Sequence, residues 1–382
     1  MPRAETISRR RCVVDGSGRL EPLFRFADFP VYMGVTDGPP EQDLVQDMAW
    51  AICRDCGCIQ LAELIPAEIL YARSHNSGLV GRIWTQHHAA FAEFVLEHAP
   101  RSVLEVGAGH GLLSIEVHKR RPDVAWTVVE PNPTPQPGCR ARFIRGFFPR
   151  DLEPALSADA LVNSHFIEHL FAPAEFFRQA AGFLKPGQMH LFSVPNMPEM
   201  LARKYNNCLN FEHSYYLTPS CVARFAADAG FEIVARRSFL DDHSHFYALR
   251  RCAGPVPAPL PVPGACAANR TLFEAYTRHH RDDVARLNAF LEPDPGPVYL
   301  FGAHVFSQYL CAFGLRHARI RAILDNDPGK QGRRLAGTDL RVDSPRVLAG
   351  ETSPAVILRA GAYDAEIRAD IVANVNPGTR FL

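Results

Sequence analysis

An apolar strand that runs into three alternate glycines and a helix start constrains the fold of this chain more than any other feature. The segment covers residues 103–114 and reads Val-Leu-Glu-Val-Gly-Ala-Gly-His-Gly-Leu-Leu-Ser. Glycines allow the backbone to pass close to a bulky ligand at the carboxyl end of a strand, where open α/β sheets bind ligands. The spacing differs from the G-x-G-x-x-G pattern of dinucleotide sites. We interpret it as a cofactor turn, with a purely structural turn as the alternative.

Hydrophobic periodicity around this turn predicts alternating strands and helices. Apolar residues recur at helical spacing over 85–99, and helices are also predicted over 173–184 and 218–229. A Lys-Pro-Gly stop signal at 185–187 ends the second of these helices. Such alternation is typical of a doubly wound, mainly parallel α/β domain. The strands are predicted at 102–106, 125–130, 158–163, 188–194, 231–238 and 245–249.

A proline-rich segment separates this unit from a second one. Proline occupies alternate positions from 255 to 263, which is typical of a stiff extended linker. A helix over 270–290 and strands near 297–301, 320–325 and 355–358 then predict a second α/β unit. The predicted division is an N-terminal module at 1–84, the first α/β domain at 85–253, the linker at 254–268 and the second α/β domain at 269–382.

The composition limits the classes of partner that the protein is expected to bind. The 41 basic and 41 acidic residues of this 382-residue chain balance, so we expect neither nucleic-acid binding nor an anionic membrane surface, and a small-molecule substrate is favoured. No run of 18 apolar residues occurs, and Arg9, Arg10 and Arg11 do not lead into a signal-peptide core. Ten cysteines are too few for a disulfide scaffold. We therefore expect a cytoplasmic protein, and the pattern does not indicate an oligomeric state.

An acid at the end of the second predicted strand strengthens the cofactor interpretation. Glu130 lies 19 residues after Gly111, where a carboxylate can accept hydrogen bonds from both hydroxyls of a ribose. A solvated strand end is the alternative for Glu130. These segments form one pattern, which consists of Glu105-x-Gly107-x-Gly109-x-Gly111, Glu130, and Phe-Leu-Lys-Pro-Gly at 183–187.

In this combination the chain resembles the class I S-adenosylmethionine methyltransferases. The resemblance implies S-adenosyl-L-methionine as cofactor, with Gly146, Phe147 and Phe148 beside the adenine and Asn163 and His165 beside the methionine part. The predicted cofactor-binding residues are therefore Glu105, Gly107, Gly109, Gly111, Glu130, Gly146, Phe147, Phe148, Asn163 and His165.

Three other segments resemble the narrower family of sugar C-methyltransferases. They are the Cys-Arg-Asp-Cys-Gly-Cys-Ile-Gln-Leu stretch at 53–61, Phe-Glu-His-Ser-Tyr-Tyr at 211–216, and the paired C-terminal segments 300–304 and 324–332. This resemblance implies an N-terminal zinc module, a methyltransferase domain and a C-terminal Rossmann-like domain. It also implies a nucleotide-linked keto sugar as the substrate.

The Cys-x-x-Cys pair at Cys53 and Cys56 is the core of the predicted metal site, because two thiolates at this spacing reach one tetrahedral ion and sulfur favours zinc. The resemblance supplies a second pair upstream, which falls on Cys12 and Asp15. A structural zinc held by Cys12, Asp15, Cys53 and Cys56 follows. A metal-free module, or Cys58 in place of Asp15, are the alternatives.

Methyl transfer requires an aligned nucleophile and, for carbon or oxygen acceptors, removal of a proton. His213, paired with Glu212, is the predicted general base, and His169 is a second catalytic candidate. The family carries a tyrosine where this chain has Asn210, which questions a phenol-dependent enolate step. Structural roles for the two histidines are the alternatives. The altered Ser-His-Asn-Ser stretch at 74–77 indicates a different substrate from that of the family.

The leading hypothesis is C-methylation of a nucleotide-linked keto sugar through an enolate, with His213 as the base. The alternatives are O- or N-methylation of a related sugar or polar metabolite, and a non-catalytic subunit that keeps the cofactor fold. The second α/β unit lacks G-x-G-x-x-G, so a redox dinucleotide is not expected there. Its Asp325 can accept a ribose or sugar hydroxyl, or the unit only packs against the first.

Overall fold

A computed structural model describes residues 1–71, 81–293 and 296–382 of the protein. The Ser-His-Asn-Ser stretch at 74–77 lies outside these residues. Within them, no helix is long and apolar enough to cross a membrane.

The N-terminal part is built on a three-stranded antiparallel sheet. Its long strands β2 and β4 pair with register shifts near Phe24 and Phe29, which interrupt the alternation of buried and exposed residues along β2. The sheet order is β2-β4-β5, and β1 pairs with β6. The elements are β1 Ile7–Ser8, β2 Leu20–Pro30, β3 Val35–Thr36, β4 Val45–Cys53, β5 Ile59–Leu61, β6 Glu63–Leu64 and α1 Ala67–Leu70.

The middle part is a doubly wound domain around a seven-stranded sheet. Its elements are α2 Arg82–Glu97, β7 Ser102–Val106, α3 Leu112–Arg120, β8 Ala125–Glu130, β9 Arg142–Arg145, β10 Ala160–Ser164, α4 Pro173–Phe183, β11 Met189–Pro195, α5 Met197–Ala202, α6 Pro219–Asp228, β12 Phe231–Phe239, α7 Leu240–His243 and β13 Ser244–Arg251. The order is β12-β13-β11-β10-β7-β8-β9, and only β13 runs antiparallel to the others. The predicted strands are present to within about three residues, so the Rossmann-like fold is confirmed.

The carboxyl ends of β7 and β10 form the functional edge of this sheet. The two strands are parallel neighbours at its centre, and the chain order reverses there between β10 and β8. A crevice at such a reversal is where open α/β sheets bind ligands.

The C-terminal part begins with a long helix and forms a five-stranded parallel sheet in the order β17-β15-β14-β18-β19. The long helix begins at Ala265, inside the predicted linker, because Gly264 (φ +75°) ends the proline segment and good helix formers follow. The elements are α8 Ala265–Leu291, β14 Val298–Phe301, α9 Val305–Ala312, β15 Ala322–Leu324, β16 Arg334–Leu335, β17 Val342–Asp343, β18 Ala355–Leu358, α10 Asp364–Asn374 and β19 Arg380–Phe381.

The three parts share one buried apolar cluster. Phe29 of β2 packs on Phe211 of the middle part and on Tyr309 of α9, with ring centroids 6.0 and 5.2 Å away. Strand β3 also pairs with β16 of the C-terminal part. The N-terminal module is therefore joined to both other parts, which the predicted boundaries do not convey.

A buried ion pair reinforces this junction. The Arg334 guanidinium donates two hydrogen bonds of 2.8 Å to the Asp43 carboxylate, which also accepts the Gly337 N–H at 2.7 Å. Both charged side chains are less than a tenth exposed. Removing one partner leaves an uncompensated buried charge, which is more costly than removing both.

We predict that Asp43→Ala lowers the free energy of unfolding by about 3 to 5 kcal/mol. The double variant Asp43→Leu/Arg334→Met should be less destabilised, because no charge is left buried. Glu97→Ala, which breaks an exposed pair with Arg237, is the control and should cost only about 0 to 1 kcal/mol. Denaturant unfolding measures all three. An Asp43→Ala protein as stable as the control variant would contradict the role of the pair.

Candidate active site and metal centre

The glycine turn after β7 has the geometry of a ligand cradle. Gly107 and Gly111 adopt positive φ, and a Cβ atom at these positions would lie 2.6 Å from the Phe166 ring and 2.5 Å from Cys139 Sγ. Only glycine fits both constraints. A Cβ at Gly109 would instead point into the space before the Glu130 carboxyl, 3.8 Å away. The glycine turn and the Glu130 side chain at the end of β8 therefore lie close together.

The Glu130 carboxylate is held at this edge. Its Oε1 accepts the Asn132 N–H at 3.0 Å, and the segment after β8 is tied back to the glycine turn by a 2.8 Å bond from Thr134 N–H to Gly109 O. A positioned carboxylate beside the turn is the arrangement that can accept two ribose hydroxyls. The predicted role of Glu130 fits this geometry.

Two of the predicted cofactor residues have buried side chains. The Glu105 carboxylate accepts the Trp126 indole N–H at 2.7 Å inside the sheet, and burial raises the pKa of Glu105 to about 7. The Asn163 Oδ1 hydrogen-bonds with His190 Nε2 at 2.8 Å, also below the edge. These bonds engage Glu105 and Asn163 Oδ1 inside the sheet, and the predicted contacts of both side chains with a cofactor stay predictions.

The segment after β9 lies at the same edge. Gly146 closely approaches Asp151, whose carboxylate accepts the Phe147 N–H at 2.8 Å. The Phe147 ring is 56% exposed, and Phe148 is partly buried against Phe176. The exposed ring of Phe147 gives the edge an apolar surface of the kind that an adenine can cover.

His165, the last of the predicted cofactor residues, follows β10 in a left-handed conformation with φ of +47°. Its Nε2 hydrogen-bonds with Ser244 Oγ at 2.8 Å, and its Nδ1 lies 3.1 Å from Glu168 Oε1. Burial lowers the pKa of His165 to about 3, so the ring is neutral at pH 7. His165 therefore stands between the cofactor edge and the acid-base cluster described next.

Three side chains that can act as acids or bases lie close together in the segments that follow β10. One ligand atom from each of Glu168, His169 and His213 lies within 4.8 Å of the others, and the rings of His169 and His213 are 4.8 Å apart. Glu212 Oε2 lies 3.8 Å from His169 Nδ1, which also contacts the Tyr71 hydroxyl at 3.2 Å. The structure thus brings together all three residues predicted as catalytic.

Glu168 is the residue that the sequence analysis missed. Its carboxyl group is fully buried, and neither oxygen has a hydrogen-bond partner among the described residues. Burial raises its pKa to about 7, which nearby His213 opposes. A perturbed carboxyl in a cleft of other titratable groups is a functional candidate. An acid between apolar neighbours, as in Phe-Ile-Glu-His-Leu at 166–170, was the available signal.

Asn210 has a structural role in the loop that carries His213. Its Oδ1 accepts the N–H groups of Glu212 and His213, both at 2.9 Å, and His213 Nδ1 hydrogen-bonds with Cys208 O at 3.1 Å. Burial lowers the pKa of His213, and the Glu168 carboxylate opposes this effect. The ring is therefore neutral at neutral pH and able to accept a proton.

The N-terminal module holds the far end of this loop. Leu61 of β5 donates its N–H to Ser214 O at 2.9 Å, and the Tyr216 N–H donates to Ile59 O at 2.8 Å. The Arg9 guanidinium donates to Ser214 O at 3.2 Å and to Phe171 O at 3.1 Å. The position of His213 therefore depends on β5 of the module.

The predicted metal ligands of the module also converge. One ligand atom from each of Cys12, Asp15, Cys53 and Cys56 lies within 4.8 Å of the others, with Cys12 Sγ 3.5 Å from Cys56 Sγ and Cys53 Sγ 3.6 Å from Asp15 Oδ2. Hydrogen bonding from Cys56 lowers the pKa of Cys12. The alternative ligand, Cys58, is buried and directs its Sγ toward Ile59 O. Three sulfurs and one carboxylate are a donor set that fits tetrahedral zinc.

The candidate hydroxyl acceptor of the C-terminal part is engaged in its own loop. Asp325 Oδ2 accepts the Ala303 N–H at 2.9 Å and contacts Lys330 Nζ at 3.0 Å, while Oδ1 accepts the Asp327 N–H. Through these contacts the Asp325 carboxylate stabilises the turn after β15. The predicted sugar-binding role of Asp325 is not supported by this arrangement.

Comparison with known proteins identifies the middle part. Residues 82–236 match the family model described as a methyltransferase domain. No curated protein matches the chain.

Solved structures of methyltransferases overlap this part of the chain. An O-methyltransferase family protein from Burkholderia thailandensis is 18% identical, with 45% of this chain and 57% of that chain covered and a TM-score of 0.36. The N-methyltransferase NodS from Bradyrhizobium japonicum WM9 is 14% identical, with 44% and 97% covered and a TM-score of 0.33. These similarities are too low to bear on the acceptor of this chain. The family match, the sheet order and the glycine turn agree that residues 82–236 form a methyltransferase domain.

Proposed function

We propose that the protein methylates a hydroxyl oxygen of a sugar or a similar polar metabolite, with His213 removing the proton. The observation that carries this proposal is the cluster of Glu168, His169 and His213 beside the carboxyl end of β10. An acceptor that must lose a proton needs such a base, whereas the chemistry of methyl transfer itself requires mainly alignment.

The residues that would hold S-adenosylmethionine are those of the edge: the turn from Gly107 to Gly111, Glu130 for the ribose, and Phe147 for the adenine. When bound, this cofactor supplies a methyl group on a positively charged sulfur. His213 accepts the proton of the acceptor hydroxyl, and the Glu168 carboxylate stabilises the resulting imidazolium charge. Loop contacts from Asn210 and Cys208 orient the ring.

Carbon methylation of a nucleotide-linked keto sugar is the second candidate. The segments 53–61 and 211–216 that resemble the sugar C-methyltransferases favour it. The side chain of Asn210 disfavours it, because an amide that caps the loop backbone cannot serve as the phenol that the family places there. Tyr71, whose phenol is kept neutral by burial, contacts His169 and could take that part.

Hydrogen exchange separates the two candidates. An enzyme that forms an enolate should exchange the α-hydrogen of the keto sugar with deuterated water in the presence of S-adenosylhomocysteine. We expect that a preparation which turns over S-adenosylmethionine with this sugar does not exchange the α-hydrogen. We also expect NMR of the product to show an O-methyl group. Exchange that depends on His213 would instead establish carbon methylation.

We also propose one structural zinc ion at Cys12, Asp15, Cys53 and Cys56, and we propose that the protein acts in the cytoplasm. Gln60 supports the zinc proposal, because its side chain accepts the Val13 N–H at 2.8 Å and donates to Arg11 O at 3.0 Å, which holds the upstream ligands against β5.

The ribose assignment predicts a loss of cofactor affinity. Glu130→Ala should weaken S-adenosylhomocysteine binding by about 1.5 to 3 kcal/mol, since two charge-assisted hydrogen bonds are lost. Isothermal calorimetry measures this, with Glu232→Ala, an exposed acid on β12, as the control. An unchanged dissociation constant would rule out the ribose contact.

The zinc site predicts about one zinc ion per chain by elemental analysis. Cys56→Ser should lose the metal and lower the melting temperature, whereas Cys252→Ser, which lies outside the cluster, should change neither. Because β5 holds the loop of His213, the Cys56→Ser protein should also lose turnover. Protein produced with added zinc that contains none would show that Asp15 does not complete the site.

The base assignment predicts that His213→Gln lowers kcat by about 10²- to 10⁴-fold. Affinity for S-adenosylhomocysteine should be unchanged, because the contacts of His213 among the described residues are with Cys208, Asn210 and His169. His279→Gln, an exposed histidine of α8, is the control. If His213→Gln retains full kcat while His169→Gln does not, the base is His169.

A further inference from the structure

A second group of histidines lies outside the proposed base cluster. His87 comes from α2, His165 follows β10, and His243 ends α7. One ring nitrogen from each lies within 4.8 Å of the others, and the ring centroids are 5.1, 5.5 and 5.8 Å apart. Three imidazoles from three separate elements therefore surround one point at the functional edge.

His87 is the member that most needs an explanation. Its side chain is fully buried, and neither ring nitrogen has a hydrogen-bond partner among the described residues. Leaving such a polar group unsatisfied costs about 1 to 3 kcal/mol. A ligand that accepts the lone pair of one nitrogen would remove the part of this penalty that belongs to that lone pair.

One of the other two rings is oriented by a neighbour in the way that metal-binding histidines are. His243 Nδ1 hydrogen-bonds with Ser244 Oγ at 2.6 Å, whereas His165 Nδ1 lies 3.1 Å from Glu168 Oε1 without a hydrogen bond to it. Carboxylates and hydroxyls that hold the second nitrogen fix the ring orientation of metal ligands. His165 Nε2 contacts Ser244 Oγ at 2.8 Å, and an ion would replace this contact.

Aromatic packing alone does not account for the cluster. The Trp84 ring lies edge-on to all three histidines, at centroid distances of 4.9 to 5.3 Å. Phe239 and Phe246 pack on His87 from the other side at 5.4 and 5.3 Å. A phenylalanine at position 87 would satisfy this apolar surrounding without an unpaired nitrogen. The histidine nitrogens are therefore the feature that calls for a ligand.

We propose that His87, His165 and His243 bind a first-row transition metal ion such as Zn²⁺, at a site distinct from the cysteine cluster. Imidazole nitrogen suits such ions, and three protein ligands leave the fourth tetrahedral position open. Zinc–nitrogen bonds of about 2.0 to 2.1 Å place ligand nitrogens roughly 3.4 Å apart, so nitrogens that lie within 4.8 Å of one another must approach by up to about 1.4 Å. The His165 side chain is 17% exposed and gives the site access from the cofactor edge.

Cobalt titration of the full chain tests the site independently of the proposed reaction. Chelator-treated protein is titrated with Co²⁺, whose d–d absorption reports tetrahedral binding, while thiolate-to-cobalt charge transfer reports the cysteine cluster alone. Four proteins are compared: wild type, Cys56→Ser, His87→Phe/His243→Phe, and the combination. The His317→Phe protein is the control for the histidine substitution, since His317 is a partly exposed residue of the C-terminal part.

We expect Cys56→Ser to bind one Co²⁺ without charge transfer, and the combined variant to bind at least 10-fold more weakly. Circular dichroism and S-adenosylhomocysteine binding check folding, and His243→Gln replaces the double variant if that protein does not fold. A Cys56→Ser protein that binds no Co²⁺, or whose binding is unchanged by the histidine substitutions, would overturn the proposal. If only the cysteine cluster fails to bind metal, the wild type should still bind one Co²⁺ through nitrogen ligands, without charge transfer.

Discussion

The pairing of β5 with residues 214–216 is the constraint on which the active site depends. Hydrogen bonds from Leu61 to Ser214 and from Tyr216 to Ile59 make the loop of His213 an additional edge of the N-terminal sheet. Backbone bonds of this kind hold a loop more rigidly than side-chain contacts, because they fix the chain direction as well as one atom. The N-terminal module therefore positions the loop of His213 through β5 and not through its cysteine cluster.

The same loop is also held by the C-terminal part. Asn206 Nδ2 donates to Phe306 O at 3.0 Å, and the Tyr309 hydroxyl donates to Leu209 O. If His213 is the proposed base, it must stay aligned within a fraction of an ångström and benefits from support on both sides of its loop. This explains why the three parts share one apolar cluster and a buried Asp43–Arg334 pair, since separate movement of the parts would misplace His213.

Burial controls the chemistry of the charged groups around this loop. The Glu168 carboxyl is fully enclosed, which raises its pKa to about 7 and makes its ionised form costly unless a positive charge forms nearby. His213 can supply that charge by accepting a proton. A proton accepted by His213 would give its ring a positive charge. That positive charge would stabilise the ionised form of the buried Glu168 carboxylate.

Much of the α/β framework could be predicted from the sequence, because period-two and helical patterns and the Pro and Gly stops are local. Strands β7 and β8 were predicted with their observed bounds, and the glycine turn with its positive φ values follows from the need for close backbone approach. The metal-ligand candidates Cys53 and Cys56 also came from a local motif, whereas Cys12 and Asp15 came from the resemblance to the sugar C-methyltransferases. The long strand β2 was missed because its register shifts remove the alternation, and the start of α8 was hidden by the prolines before it.

What the sequence alone determined was the class of fold, the place of the cofactor turn, and which residue types could carry the chemistry. Tertiary structure decided which of them meet. It directed Glu105 and Asn163 into the sheet, enclosed Glu168 beside His213, and gathered His87, His165 and His243 from three separate elements. The physical reason is that motif spacing and periodicity act over a few residues, whereas burial and side-chain direction are set by contacts between segments that lie far apart in the chain.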